Sequence, residues 1–160
     1  MLTLQRNERE ELMSHVTAEM RAILVDWLVD VHASFELKEQ TLYLALAYLN
    51  EFTSLVEVTR QDYQLVGVAC LWIASKYEEI YPPRMSAFTQ VTDCSYSSNE
   101  LKIMEGKILL ALAFNLNRTT PLQILEAIAD KWGKDTNGKL TREANKTLCL
   151  AKYLLELSLF

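Results

Sequence analysis

The 160-residue chain is poor in the residues that break regular structure or bind ions. It holds 4 Gly and 3 Pro, too few for a fibrous, collagen-like or Gly/Pro-rich disordered protein. No Gly-rich loop that could cradle a phosphate is present. The two histidines, His15 and His32, stand alone, with no second His or Cys at ligand spacing, so no metal is expected. Cys70, Cys94 and Cys149 are widely spaced and partly set in apolar runs. That pattern fits reduced, mostly buried thiols in an intracellular protein better than a disulfide framework. Basic residues are also in deficit, 16 Lys and Arg against 21 Asp and Glu, for a net charge of −5. Nucleic-acid-binding domains are usually basic, so a nucleic-acid partner is not expected. No apolar run approaches the roughly 20 residues of a membrane span, and the charged start MLTLQRNEREEL does not read as a signal peptide. Half of the residues are hydrophobic and 23% are charged, the composition of a globular protein of about one domain, large enough to bury a core.

The stretch Leu65 to Ala74 carries no charge and no strong polar group. A helix apolar on every side is a buried one, so this segment predicts the central helix of a bundle. Ser75-Lys76-Tyr77-Glu78-Glu79 follow at once, and Ile80-Tyr81-Pro82-Pro83 end the element. A lysine at a helix C-terminus suits the helix dipole, which by itself is a purely structural role for Lys76.

The remaining periodicity is helical throughout, and the chain reads as all-α. Thr17 caps a first helix over about 17–36, in which Met20, Ile23, Leu24, Trp27, Leu28, Val31 and Phe35 recur at helical spacing. Val25 and Val29 widen its apolar surface to two faces that need cover. A second helix is expected over 39–53, and Thr59 with Asp62 opens the central one. A short helix over 84–92 follows, then a fifth over 98–113 with Ser97 and Glu100 as a capping box. Thr120, Pro121 and Gln123 start a sixth, and a seventh runs from Thr141. Residues 1–16 read as a frayed lead-in, 17–118 as a five-helix unit, and 119–160 as two further helices beyond the linker Asn115 to Thr120. About 40 residues is near the size below which a domain seldom folds alone. Asp135-Thr136-Asn137-Gly138 faintly resembles a calcium loop, but its glycine comes two positions early and Lys146 stands where a bidentate Glu belongs.

Four segments together carry a resemblance. Met20-Arg21-Ala22-Ile23-Leu24-Val25-Asp26-Trp27-Leu28, Gln64-Leu65-Val66-Gly67, Ala74-Ser75-Lys76-Tyr77-Glu78-Glu79-Ile80-Tyr81-Pro82-Pro83 and Met104-Glu105 resemble the cyclin box of A- and B-type cyclins, nearest the mitotic classes. The likeness covers about residues 17–118, with a weaker match at the start of a second cyclin repeat, here cut short. It implies a five-helix box built on its third helix. It also implies a nuclear and cytoplasmic, non-catalytic subunit without cofactors that binds and activates a cyclin-dependent serine/threonine kinase. Kinase contacts would fall to Lys76 and Glu105, with Tyr77, Ile80, Leu109 and Phe114 as apolar surround and Glu78 or Glu79 facing basic residues of the kinase. The resemblance further implies a shallow groove for Arg-x-Leu segments of substrates and inhibitors. Its lining would be Met20, Ile23, Leu24, Trp27, Tyr63, Gln64 and Val91, with Asp30 meeting the peptide's basic residue. Spacing alone does not distinguish that groove from a core stripe. Arg21, Asn50 and Leu65 would stabilise the box. The family usually has Asp-Arg where Asn50-Glu51 stand, which leaves Arg21 a neutral partner, and Gly106 beside Glu105 is unusual. Two other readings remain: a cyclin-fold protein that binds something other than a kinase, and a transcription-factor-type cyclin repeat on DNA, against which the acidic charge argues.

Overall fold

In the computed structural model, which describes residues 16–132 and 141–159, every regular element is an α-helix. Thr17 stands in extended backbone and its hydroxyl accepts the Met20 amide at 3.2 Å, which starts α1 (Ala18–Ser34). The next helix, α2 (Glu39–Leu55), has no side-chain cap from its own N-cap residue, Lys38. Thr59 does not begin the central helix as the sequence suggests. Its hydroxyl accepts the Asp62 amide at 3.2 Å and donates to Asp62 Oδ2 at 2.9 Å, closing a turn. Helix α3 (Tyr63–Glu78) starts one turn later. After the short α4 (Met85–Gln90), α5 (Ser98–Ala111) opens on a complete capping box. Ser97 Oγ accepts the Glu100 amide at 3.2 Å, and Glu100 Oε2 accepts the Ser97 amide at 2.8 Å and its hydroxyl at 2.7 Å. Those donors hold the Glu100 carboxyl below its usual range.

The chain divides between Asn117 and Arg118. In the first unit α3 is central, packed against α1, α2, α4 and α5, most extensively against α2. Residues 65–75 are all buried. Gly67 lets α1 come close, since a Cβ there would lie 3.0 Å from both Cδ atoms of Leu24. Phe35 and Phe88 meet edge-to-face at 5.0 Å, and Tyr48 donates its hydroxyl to the Leu116 carbonyl at 2.7 Å. In the second unit α6 (Pro121–Trp132) packs on α7 (Arg142–Leu157). Thr120 and Gln123 exchange reciprocal amide bonds of 3.3 Å, and Thr141 Oγ1 accepts the Ala144 amide at 3.2 Å.

One expectation fails in part. Cys70 is buried, which pushes its thiol well above the usual range, but Cys94 and Cys149 are exposed. Cys94 sits in the turn after α4 with a left-handed φ of 56°, among polar neighbours, and Cys149 lies on an exposed side of α7. The lead-in over residues 1–15 and the Asp135–Gly138 segment lie outside the described residues.

Candidate protein-interaction site

Two groups of side chains stand out from the closed core. The first lies at the C-terminal end of α3. Lys76 leaves the buried part of the helix in its last turn, with its ammonium 3.6 Å above the Trp72 ring centroid, one helical turn back. The same ammonium is paired with Glu105 Oε1 of α5. Partial burial lowers the Lys76 pKa, because desolvation disfavours the charged form. The side chains are 36% and 17% exposed, so the pair still reaches solvent. Large apolar residues follow each partner. Tyr77 is 49% and Ile80 79% exposed after Lys76; beyond Glu105, Leu109 is partly buried and Phe114 is 66% exposed.

Phe114 is held outward by backbone that bulky residues seldom adopt. Ala113 and Phe114 both have left-handed φ values, 50° and 56°. The turn is closed by the Phe114 amide on the Leu109 carbonyl at 2.8 Å and the Ala113 amide on Leu110 at 3.0 Å. Such strain persists where surrounding structure over-determines it, often at functional sites.

Of the two acidic candidates, Glu79 has an internal role. Its Oε1 accepts the Lys38 amide at 2.8 Å and the Thr41 hydroxyl at 2.5 Å, so it caps the N-terminus of α2 from 38 and more residues away. Glu78 lies 3.8 Å from the Lys38 ammonium, which also donates to the Glu78 carbonyl at 2.6 Å. These contacts hold the exit of α3 against the start of α2.

The second group is a groove of about 350 Å³ lined by Met20, Ile23, Leu24, Trp27, Tyr63 and Gln64. Arg60 completes it, a residue the sequence reading did not include. The signal was available: Arg60 sits in the turn immediately before Tyr63 and Gln64. Asp30, exposed on α1, and Val91, which follows α4, are not part of this lining. Ile23 is 71% exposed, whereas Leu24 and Tyr63 are buried and form a floor shared with the core. Burial pushes the Tyr63 phenol up, against the opposing pull of the Arg21 guanidinium. Arg21 donates to Asn50 Oδ1 at 3.4 Å, joining α1 to α2, and Leu65 is buried near the start of α3. Gly106 has nothing within 4 Å of where a Cβ would stand. Among the described residues, no group of three or more His, Cys, Asp or Glu could hold a metal ion, and no helix is long and apolar enough to cross a membrane.

Residues 3–117 match the family model described as cyclin, N-terminal domain. The chain is 43% identical over 144 residues to a G2/mitotic-specific cyclin-B2 of Oryzias luzonensis, covering 90% of this chain and 35% of that one. It is also 43% identical over 160 residues to a G2/mitotic-specific cyclin-B2 of Gallus gallus (99% and 38%). A G2/mitotic-specific cyclin-B1 of Carassius auratus matches at 43% over 146 residues (91% and 34%). The chain thus spans little more than a third of the length of these relatives. Among solved structures, a viral cyclin from herpesvirus saimiri superposes with a TM-score of 0.68 at 28% identity, over 76% of this chain and 54% of that one. Family match, relatives and fold agree: this chain belongs to the cyclin family and is similar to its mitotic, B-type members.

Proposed function

We propose that this chain is a non-catalytic regulatory subunit that docks on a cyclin-dependent serine/threonine kinase through the Lys76–Glu105 face and promotes its active form, in nucleus and cytoplasm, in the control of cell-cycle progression. The observation that carries this reading is the Lys76–Glu105 pair, set where an otherwise buried α3 surfaces and followed along the chain by exposed Tyr77 and Ile80 after Lys76 and by Phe114 after Glu105. An ammonium and a carboxylate held together can each still bond to partner backbone groups, and charge-assisted bonds fix register. In the free chain such a partly exposed pair contributes only about 0–1 kcal/mol. Once desolvated in a complex, truncating either member costs roughly 2–5 kcal/mol.

A kinase is active when its C-helix glutamate pairs with the strand lysine that holds the ATP phosphates and when its activation segment is in place. A preformed helical face that binds this arrangement more tightly shifts the population towards it. The chain itself transfers nothing. The α1 groove takes Arg-x-Leu segments of substrates or inhibitors, with Met20, Ile23, Leu24 and Trp27 receiving the leucine. Residues 17–118 act as the box, and α6 with α7 begin a second cyclin repeat.

The test is capture of a cyclin-dependent kinase and the rise in its phosphotransfer to a histone-type substrate. Wild type should give both; Lys76→Ala combined with Glu105→Ala should abolish both while unfolding within about 1 kcal/mol of the parent. Equal capture by both proteins would reject the face. Capture without increased phosphotransfer would favour a cyclin-fold interaction protein that does not activate.

A further inference from the structure

The seven tyrosines occupy very different settings. Tyr43, Tyr48 and Tyr63 are buried. Tyr96 donates its hydroxyl to the Gln61 carbonyl at 2.9 Å. Tyr77 and Tyr153 are about half exposed and lie within α3 and α7. Tyr81 alone is 92% exposed and outside any helix, in the stretch between the C-cap Glu79 and the N-cap Arg84. Ile80 and Tyr81 form a bend, the proline after Tyr81 disfavours helical backbone there, and Pro82 and Pro83 offer no N–H. Among the described residues no backbone hydrogen bond engages residues 80–83. The segment therefore has no backbone hydrogen bonds to break before a binding cleft takes it up in the extended form in which peptides are bound. A helical tyrosine would have to unwind first. Glu78 stands three residues before Tyr81 and the strongly exposed Ile80 stands beside it, whereas Glu79 is engaged by Lys38 and Thr41. The 3.8 Å contact of Glu78 with Lys38 is long enough for a basic cleft to take it over.

We propose that Tyr81 is a phosphate-acceptor site for a protein tyrosine kinase with a basic substrate cleft, and that its phosphorylation closes the Lys76–Glu105 docking face. The phenolic oxygen of Tyr81 attacks the γ-phosphorus of ATP and the P–O bond to the β-bridging oxygen breaks. ADP departs with that oxygen, and the phenolic proton passes to the carboxylate base of the tyrosine kinase. The product carries about −1.5 to −2 charges five residues from Lys76, beside apolar residues that must lose water on docking. A dianion removed from water without a partner opposes that step strongly. The second half of this inference rests on the docking reading above; the acceptor site does not.

The experiment uses the intact chain. It is incubated with ATP and a tyrosine kinase that prefers acidic residues before the acceptor, and the phosphate is located by mass spectrometry. Capture of the cyclin-dependent kinase is then compared for unmodified chain, modified chain and modified chain treated with a tyrosine phosphatase. The expected result is phosphate on Tyr81, its loss in Tyr81→Phe, and capture weakened roughly tenfold or more and restored by the phosphatase. Phosphate absent from Tyr81, or placed chiefly on Tyr77 or Tyr153, overturns the acceptor site. Tyr81 phosphate with unchanged capture overturns the switch. Unmodified chain that captures nothing overturns the docking reading and with it the switch, while the position of the phosphate still decides the acceptor site.

Discussion

The same methyl group added at Gly106 and at Gly67 is predicted to act in opposite directions. Both glycines lie inside helices, where alanine is favoured over glycine by about 0.8–1.0 kcal/mol. At Gly106 the new Cβ meets nothing within 4 Å, so Gly106→Ala should realise the whole gain, about 1 kcal/mol, or roughly 2–4 °C in Tm for a chain of this size. At Gly67 the Cβ would meet Leu24 Cδ1 and Cδ2 at 3.0 Å and Cγ at 3.3 Å. Leu24 is 5% exposed and has little room to yield; overpacking of this kind costs about 1–3 kcal/mol. Gly67→Ala should therefore be neutral to destabilising by about 2 kcal/mol, and the two variants should differ by about 1–3 kcal/mol. Urea unfolding followed by circular dichroism, with both variants beside the parent, measures that difference directly. Equal stabilisation by the two would refute the close approach of α1 to α3. Binding adds a second readout: Gly67→Ala displaces a groove residue and should weaken an Arg-x-Leu peptide. Gly106→Ala leaves the peptide alone and weakens kinase capture only if the partner packs against bare backbone on α5.

Trp27→Ala should cost about 2 kcal/mol or more in Arg-x-Leu peptide affinity, measured by fluorescence polarisation, without altering kinase capture; an unchanged affinity would return Trp27 to the core. Thr41→Val removes the hydroxyl that donates to Glu79 Oε1 at 2.5 Å and should lower stability by about 1.5–3 kcal/mol, as for a bond to a charged group. An unshifted thermal midpoint would show that the Thr41–Glu79 bond contributes nothing to stability. The Glu100 carboxyl is held below 4.5 by the Ser97 amide and hydroxyl, so its contribution is present above that value and lost as pH falls through the lower, folded one. Glu100→Gln should accordingly melt below the parent at neutral pH, with the gap closing in acid; a gap independent of pH would reject the capping box as its source.

Much of the fold was legible because its signals are local. A helix with no polar face has one solution, burial, and 65–75 is indeed the centre of the first unit. Thr17, Ser97 and Thr141 act on amides three residues away, so those helix starts could be read directly. Thr59 with Asp62 shows the limit of such signals, since the same pair that opens a helix also closes a turn. The role of Glu79 could not be read, because its partners Lys38 and Thr41 lie on another helix. The pairing of Lys76 with Glu105, 29 residues apart, follows from no pattern in the chain; the family resemblance implies the two residues only as kinase contacts. Trp72 beneath Lys76 sits at helical spacing and was open to inference. The Gly67–Leu24 contact depends on the distance between two helix axes, which no single-chain periodicity encodes.

Helix α3 also acts as a ruler. Gln64 near its start borders the groove, and Lys76 near its end belongs to the proposed docking face. Twelve residues at 1.5 Å each separate them by about 18 Å along one buried axis. If the groove and the Lys76–Glu105 face act as proposed, a substrate segment held in the groove would be tethered at a set span from a kinase held at the other end, and its phosphorylatable residue would reach the active site only if its own linker matched that span. Choice among substrates would then depend on linker length as well as on the docking sequence.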